Sequence, residues 1–131
     1  MTNPIPTLTL YGIPNCDTVK KARAWLAQAG AQVQFHDFKK QGVPPDLLDR
    51  WIAELGWAAL LNRKGTTWRK LDPATQTSVQ EPSSAKTLML AQPSVIKRPI
   101  VAWGPTLPVT VGFDPSTFAQ AWAAAQGKAP A

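Results

Sequence analysis

The chain has 131 residues, 44% hydrophobic and 17% charged, with a formal net charge of +6. That length supports one domain with a real core, and the composition is that of an ordinary folded protein. One cysteine and one histidine exclude an intramolecular disulfide framework, a cysteine-rich zinc site and a multi-histidine centre, so no metal is expected.

A lone thiol fits a reducing compartment. The first residues, Met1 to Pro6, carry neither a basic nor an apolar leader segment, and no apolar run approaches the ~20 residues of a membrane span. A cytoplasmic location without membrane contact is therefore expected. The positive charges are scattered in pairs, at Lys20-Lys21, Lys39-Lys40, Arg63-Lys64, Arg69-Lys70 and Lys97-Arg98. With no basic helix and no recognised nucleic-acid module, direct nucleic-acid binding is not expected. The excess suits solubility or anionic small-molecule substrates.

In chain order, Leu8 to Tyr11 is short, apolar and β-prone, which predicts a buried strand. Gly12, Pro14 and Asn15 turn the chain. From Asp17 the pattern becomes helical, with Val19, Ala22, Trp25, Leu26 and Ala29 on one side, and Gly30 supplies the stop. Cys16 thus falls where the free amides and the positive dipole end of a helix converge. That setting favours thiolate, the reactive species, and Lys20 and Lys21 are expected to add a screened positive field. Equally, a lone cysteine in a strand-to-helix turn can be a small buried hydrophobe.

Gln32 to Phe38 alternates and predicts a second strand, parallel to the first. His36 reads as a strand residue on its partly solvated face, with service as a base for Cys16 as the second reading. Lys39 to Pro45 is expected to be a loop. A helix follows from Pro45, with Leu47, Leu48, Trp51, Ile52 and Leu55 as its apolar stripe and Gly56 as its end. Trp57 to Leu61 predicts a short apolar helix, and Asn62 to Leu71 an electropositive loop. Residues 73–92 predict two short helices, capped by Asp72 and by Ser83 or Ser84. Pro99 enforces an extended approach to a strand at Ile100 to Trp103, and Val109 to Phe113 returns as its hairpin partner. Asp114 caps a last helix bearing Phe118, Ala121, Trp122 and Ala125, and Lys128 to Ala131 is expected to be a disordered tail.

The order β-α-β, helical block, β-β, α is the plan of an α/β, thioredoxin-like fold. It predicts a four-stranded mixed sheet with an enlarged helical insertion between the second and third strands. Residues 1–131 are read as a single domain, with the inserted block at roughly 44–94. In this architecture a proline before the third strand commonly takes the cis form and faces the cysteine, and Arg98-Pro99 is the bond placed to do so.

Tyr11 to Thr18 with Lys20 to Leu26, Phe35 to Phe38, Glu54 to Leu71 and Ile96 to Val101 resemble the bacterial arsenate reductase (ArsC)/Spx family, most closely its YffB subgroup. The resemblance spans nearly the whole chain. It implies that Cys16 is the catalytic cysteine and that Arg98 is the catalytic arginine before the cis-proline. It further implies that Arg63 and Pro99 contact substrate, with a one-residue ambiguity between Arg63 and Asn62. Two departures are visible. Glutathione-linked arsenate reductases carry a third arginine after the hairpin, where this chain has Leu107 to Phe113 and no cation. Spx-type regulators often carry a Cys-x-x-Cys switch, and position 19 here is Val19.

The resemblance therefore implies a monothiol oxidoreductase: a glutathione-dependent thiol-disulfide reductase with no bound cofactor. Glutathione would be its co-substrate, and small thiols or disulfides its other partners. The alternatives are a glutathione-linked arsenate reductase and a non-catalytic, Spx-like regulator that binds RNA polymerase.

Overall fold

The computed structural model describes residues 6–127, so the expected tail at Lys128 to Ala131 and residues 1–5 lie outside the described residues. The chain divides into two compact units, one running to Asp37 and resuming at Arg98, the other Phe38–Lys97.

The first unit holds the sheet. Strand β1 (Thr7–Gly12) pairs in parallel with β2 (Gln32–Asp37), with Leu8 opposite Val33 and Leu10 opposite Phe35. Helix α1 (Asp17–Gln28) makes the crossover between them, as a parallel pair requires. On the other side of β1 lies β3 (Ile100–Ala102), antiparallel, with Tyr11 opposite Ile100 and Thr9 opposite Ala102. Strand β4 (Thr110–Val111) closes the sheet against β3, giving the order β2-β1-β3-β4. This is the mixed four-stranded, thioredoxin-like sheet that the sequence order predicts. Strands β3 and β4 are shorter than expected, because Gly104, Pro105 and Pro108 surround them and proline withholds the ladder's donor.

Period-two alternation sends Leu8 and Leu10 of β1, and Val101 and Trp103 of the β3 region, to one face. Val19, Ala22 and Leu26 of α1 pack there, together with Phe118 and Trp122 of the last helix (Pro115–Ala125). Phe118 is the hub of that core. Its ring meets Trp103 at 5.1 Å, Phe113 at 4.9 Å and Trp25 at 5.6 Å, each close to edge-on, the geometry that the ring quadrupole favours. Trp103 Nε1 donates to Thr110 Oγ1 at 3.0 Å, so the buried indole keeps its polar end satisfied. Asp114 caps the last helix by accepting from the Thr117 amide at 2.9 Å, as its position before Pro115 predicts.

The second unit is helical. It begins not with a loop but with a single turn, α2 (Phe38–Gln41). Phe38 is buried against Trp51, with ring centroids 6.3 Å apart, and Gly42 at φ 76° ends the turn. Then come α3 (Pro45–Leu55), α4 (Trp57–Leu60) and α5 (Thr66–Arg69), the last inside the stretch expected to be loop. Helices α6 (Pro73–Ser78) and α7 (Pro82–Ala91) occupy the region where two were predicted. The cap of α7 is neither Ser83 nor Ser84. Glu81 is the N-cap and Ser84 its partner at the third helical position, a capping box with the acid and hydroxyl roles exchanged. A short 3-10 turn, Pro93–Val95, leads back toward β3, and the last helix is α8. Among the described residues, no helix is long and apolar enough to cross a membrane.

Because three aromatic contacts converge on fully buried Phe118, Phe118→Ala should destabilise the protein by about 3–5 kcal/mol. Leu90→Ala, at an exposed position of α7, should stay within about 0.5 kcal/mol. Urea unfolding followed by circular dichroism measures both.

Candidate active site

The site is assembled by register. Strand β1 ends at Gly12, and four residues later Cys16 stands as the N-cap of α1, in extended conformation at φ −145° and ψ 122°. Its carbonyl accepts the first intrahelical bond, from the Lys20 amide at 3.0 Å. The antiparallel pairing of Tyr11 with Ile100 sets the entry of β3 beside the exit of β1. The two residues that precede Ile100 are Arg98 and Pro99, and they are thereby delivered to the start of α1. The Arg98-Pro99 peptide bond is cis. Pro99 is buried, and its carbonyl accepts from the Gly112 amide at 2.8 Å.

Gly12 lets the helix come this close. A Cβ there would lie 2.9 Å from Cγ2 of Val19, and Val19 is fully buried with a β-branched side chain that has little rotamer freedom. Val19 and Thr18 supply amides of the first turn. Any side chain at position 12 would push that turn away from the strand.

Cys16 is half-buried against the core of the first unit. Burial taken alone raises its pKa, since it penalises the charged form. Against this act, in turn, the backbone amide of Val19, a hydrogen bond from the Arg98 side chain, the charge of that guanidinium and the backbone amide of Thr18. Together they win, and the Cys16 pKa is lowered below that of an ordinary thiol. The side chain closes no full capping hydrogen bond onto the helix, so the amides act on the sulfur as oriented dipoles. Arg98 is half-buried with Nε inside the protein, where its charge is poorly screened.

Not every residue expected to act on the sulfur is among the groups that lower its pKa. Lys20 and Lys21 are exposed, and the cation that acts on the sulfur is Arg98 instead. His36 sits on β2 with its ring 5.0 Å from that of Tyr11, and it is not among the groups that act on the Cys16 sulfur. Arg63 belongs to the second unit. There its guanidinium lies over the rings of Trp57 and Trp68, a contact that the sequence spacing alone does not announce. The contributions of Thr18, Val19 and Gly12 are likewise absent from the sequence reading. Their signal is the helix start itself, whose second and third residues always offer free amides.

A lowered thiol pKa means that the thiolate persists as pH falls, until pH passes through the folded value. Arg98→Ala should therefore move the midpoint of the pH–rate profile for Cys16 alkylation by iodoacetamide upward, and should slow alkylation at pH 7. A Lys20→Ala, Lys21→Ala double variant should leave the profile in place. Gly12→Ala should shift it in the same direction as Arg98→Ala, because it displaces the amides of the first turn.

The chain is similar to several known proteins. A Haemophilus influenzae protein known only as uncharacterized is 37% identical over 117 residues, covering 88% of this chain and 99% of its own. A solved structure of a protein called YffB is 48% identical with a TM-score of 0.83, covering 88% of this chain and 99% of that one. The solution structure of an arsenate reductase (ArsC) related protein from Brucella melitensis is 44% identical with a TM-score of 0.70, covering 89% of this chain and 95% of that one. The profile of the ArsC family matches residues 11–121, a span that contains Cys16, Arg63, Arg98 and Pro99, and the chain belongs to the ArsC family.

Proposed function

We propose that the protein is a glutathione-dependent thiol-disulfide reductase that works through a single cysteine. The observation that carries this reading is the Arg98 side chain hydrogen-bonded to a Cys16 whose pKa is lowered. A thiolate is the attacking species in disulfide exchange. Cys16 is the only cysteine in the chain, so a second thiol must come from outside, and glutathione is the natural donor.

In the first step the Cys16 thiolate attacks the glutathionyl sulfur of a mixed disulfide R–S–S–G. The S–S bond breaks, R–S⁻ leaves and takes a proton from solvent, and Cys16 carries the glutathionyl group. A glutathione thiolate then attacks that sulfur, releasing oxidised glutathione and returning Cys16 as thiolate. One R–S–S–G and one glutathione thus become one R–SH and one oxidised glutathione. Arg98 serves both steps. It stabilises the attacking thiolate, and it stabilises the same thiolate again when that becomes the leaving group. Pro99 would border the substrate beside the sulfur. The substrate-binding role for Arg63 rests on the resemblance of its segment to the family pattern.

Arsenate reduction is the second enzymatic reading, drawn from the ArsC-related neighbour. The hairpin residues Leu107 to Phe113 include no cation, which leaves a tetrahedral oxyanion fewer charged donors than arsenate chemistry draws on. The disulfide reading is preferred for that reason.

A glutathione-coupled assay separates the two. Turnover is expected on a glutathionylated disulfide and little on arsenate. Cys16→Ser should fall to background, and Arg98→Ala should lose about 10- to 100-fold in kcat, the cost of one hydrogen bond to a charged group. Activity unchanged in Cys16→Ser would end both readings. Retention of the C-terminal domain of RNA polymerase α by a protein without turnover would favour the regulator reading instead.

A further inference from the structure

Arg63 stands on a turn that is braced at every point. Before it, Leu61 bridges Ile96. The Asn62 amide donates to the Val95 carbonyl at 2.8 Å, and the Lys97 amide to the Leu60 carbonyl at 2.7 Å. Within the turn, Asn62 Oδ1 accepts from the Lys64 amide at 3.2 Å, the local bond by which Asn shapes a turn. A Cβ at Gly65 would lie 2.8 Å from Asn62 Nδ2, so the Asn62 side chain fills the inside of the turn. After it, Gln76 Nε2 donates to the Trp68 carbonyl at 2.7 Å, tying α5 down.

The guanidinium carbon of Arg63 lies 5.7 Å from the ring centroid of Trp57 and 5.9 Å from that of Trp68, within the range of cation–π attraction. Both tryptophans are half-buried and Arg63 is exposed. Lys86 pairs with Asp49 in this unit, and Arg63 has indole faces where a surface arginine usually has a carboxylate. The difference matters chemically. A carboxylate partner would occupy the guanidinium's N–H fork and cancel its charge. An indole face restrains the group and leaves its planar donors available.

We propose that Trp57 and Trp68 are positioning residues that hold the donors of Arg63 ready for a carboxylate of the thiol co-substrate. This inference rests on the reading that glutathione, which carries two carboxylates, is that co-substrate. The tryptophans touch Arg63 and not the ligand, so each acts by lowering the freedom that Arg63 loses on binding.

The test follows the side-chain Nε–Hε resonance of Arg63 by NMR in the full chain while reduced glutathione is added. Glutathione should shift that resonance saturably. Trp57→Ala and Trp68→Ala should each weaken the apparent affinity about two- to fivefold, and Trp57→Phe and Trp68→Phe, which keep a ring, should restore most of it. In an Arg63→Ala background, followed through backbone amides, the same tryptophan changes should have no further effect. An Arg63 resonance that glutathione leaves in place, or equal affinity in the wild type and the alanine variants, would overturn the inference. Binding without turnover would remove the reductase reading and leave this one standing. Turnover with an unmoved Arg63 resonance would do the reverse.

Discussion

The antiparallel pairing of β1 with β3 decides where the chemistry of this chain can occur. With Tyr11 opposite Ile100, the residues just before β3 come to the strand end from which the chain turns into α1. A one-residue slip would send every β3 side chain to the opposite face. Val101 and Trp103 would then leave the core that they share with Leu8, Leu10 and Phe118. The apolar core therefore enforces the register, and the register delivers Arg98 to Cys16. Stability and chemistry rest on one alignment.

At the sulfur, opposed effects have to be weighed. Packing Cys16 against the core removes water and disfavours charge, and this is the largest single influence on the group. It is overcome because four smaller influences act together: two helix amides, one hydrogen bond and one guanidinium charge. Half-burial makes those influences effective, since water that would solvate the thiolate would also screen the groups that stabilise it. Exposed Lys20 and Lys21 lie on the wrong side of that balance. Gly12 has a similar indirect role, because absence of a side chain there allows the first turn of α1 to approach the strand.

Much of the fold is legible in the sequence because the relevant signals are local. The apolar, β-prone run of Leu8 to Tyr11, the change of period at Asp17, and the Asp-Pro starts at Asp72 and Asp114 each carry their own physics, and all are found. What is not legible is set by tertiary contacts. Phe38 reads as the end of a strand, yet its burial against Trp51 turns the chain into a helix. Thr66 to Arg69 has a loop-like composition and still forms a helical turn, secured by Gln76 on the Trp68 carbonyl. The α7 cap differs from the expected one because serine and glutamate can exchange places in a capping box. At the site, the position of Cys16 is visible from the helix start. Its pairing with Arg98 comes from family resemblance, since 82 residues of sequence separate them and no periodicity links them. The indoles over Arg63 are present in the sequence without any spacing rule to connect them.

The central claim is that the fold lowers the pKa of Cys16 and so favours its thiolate. The most direct measurement is a pH titration of thiolate absorbance in the far ultraviolet on the wild-type protein, with Cys16→Ser as the blank. Because the chain has one cysteine, the difference signal belongs to Cys16 alone. The account predicts a midpoint below the value of about 8.5 for a free cysteine. A midpoint at or above that value would mean that burial outweighs the amides and Arg98, and it would contradict the account.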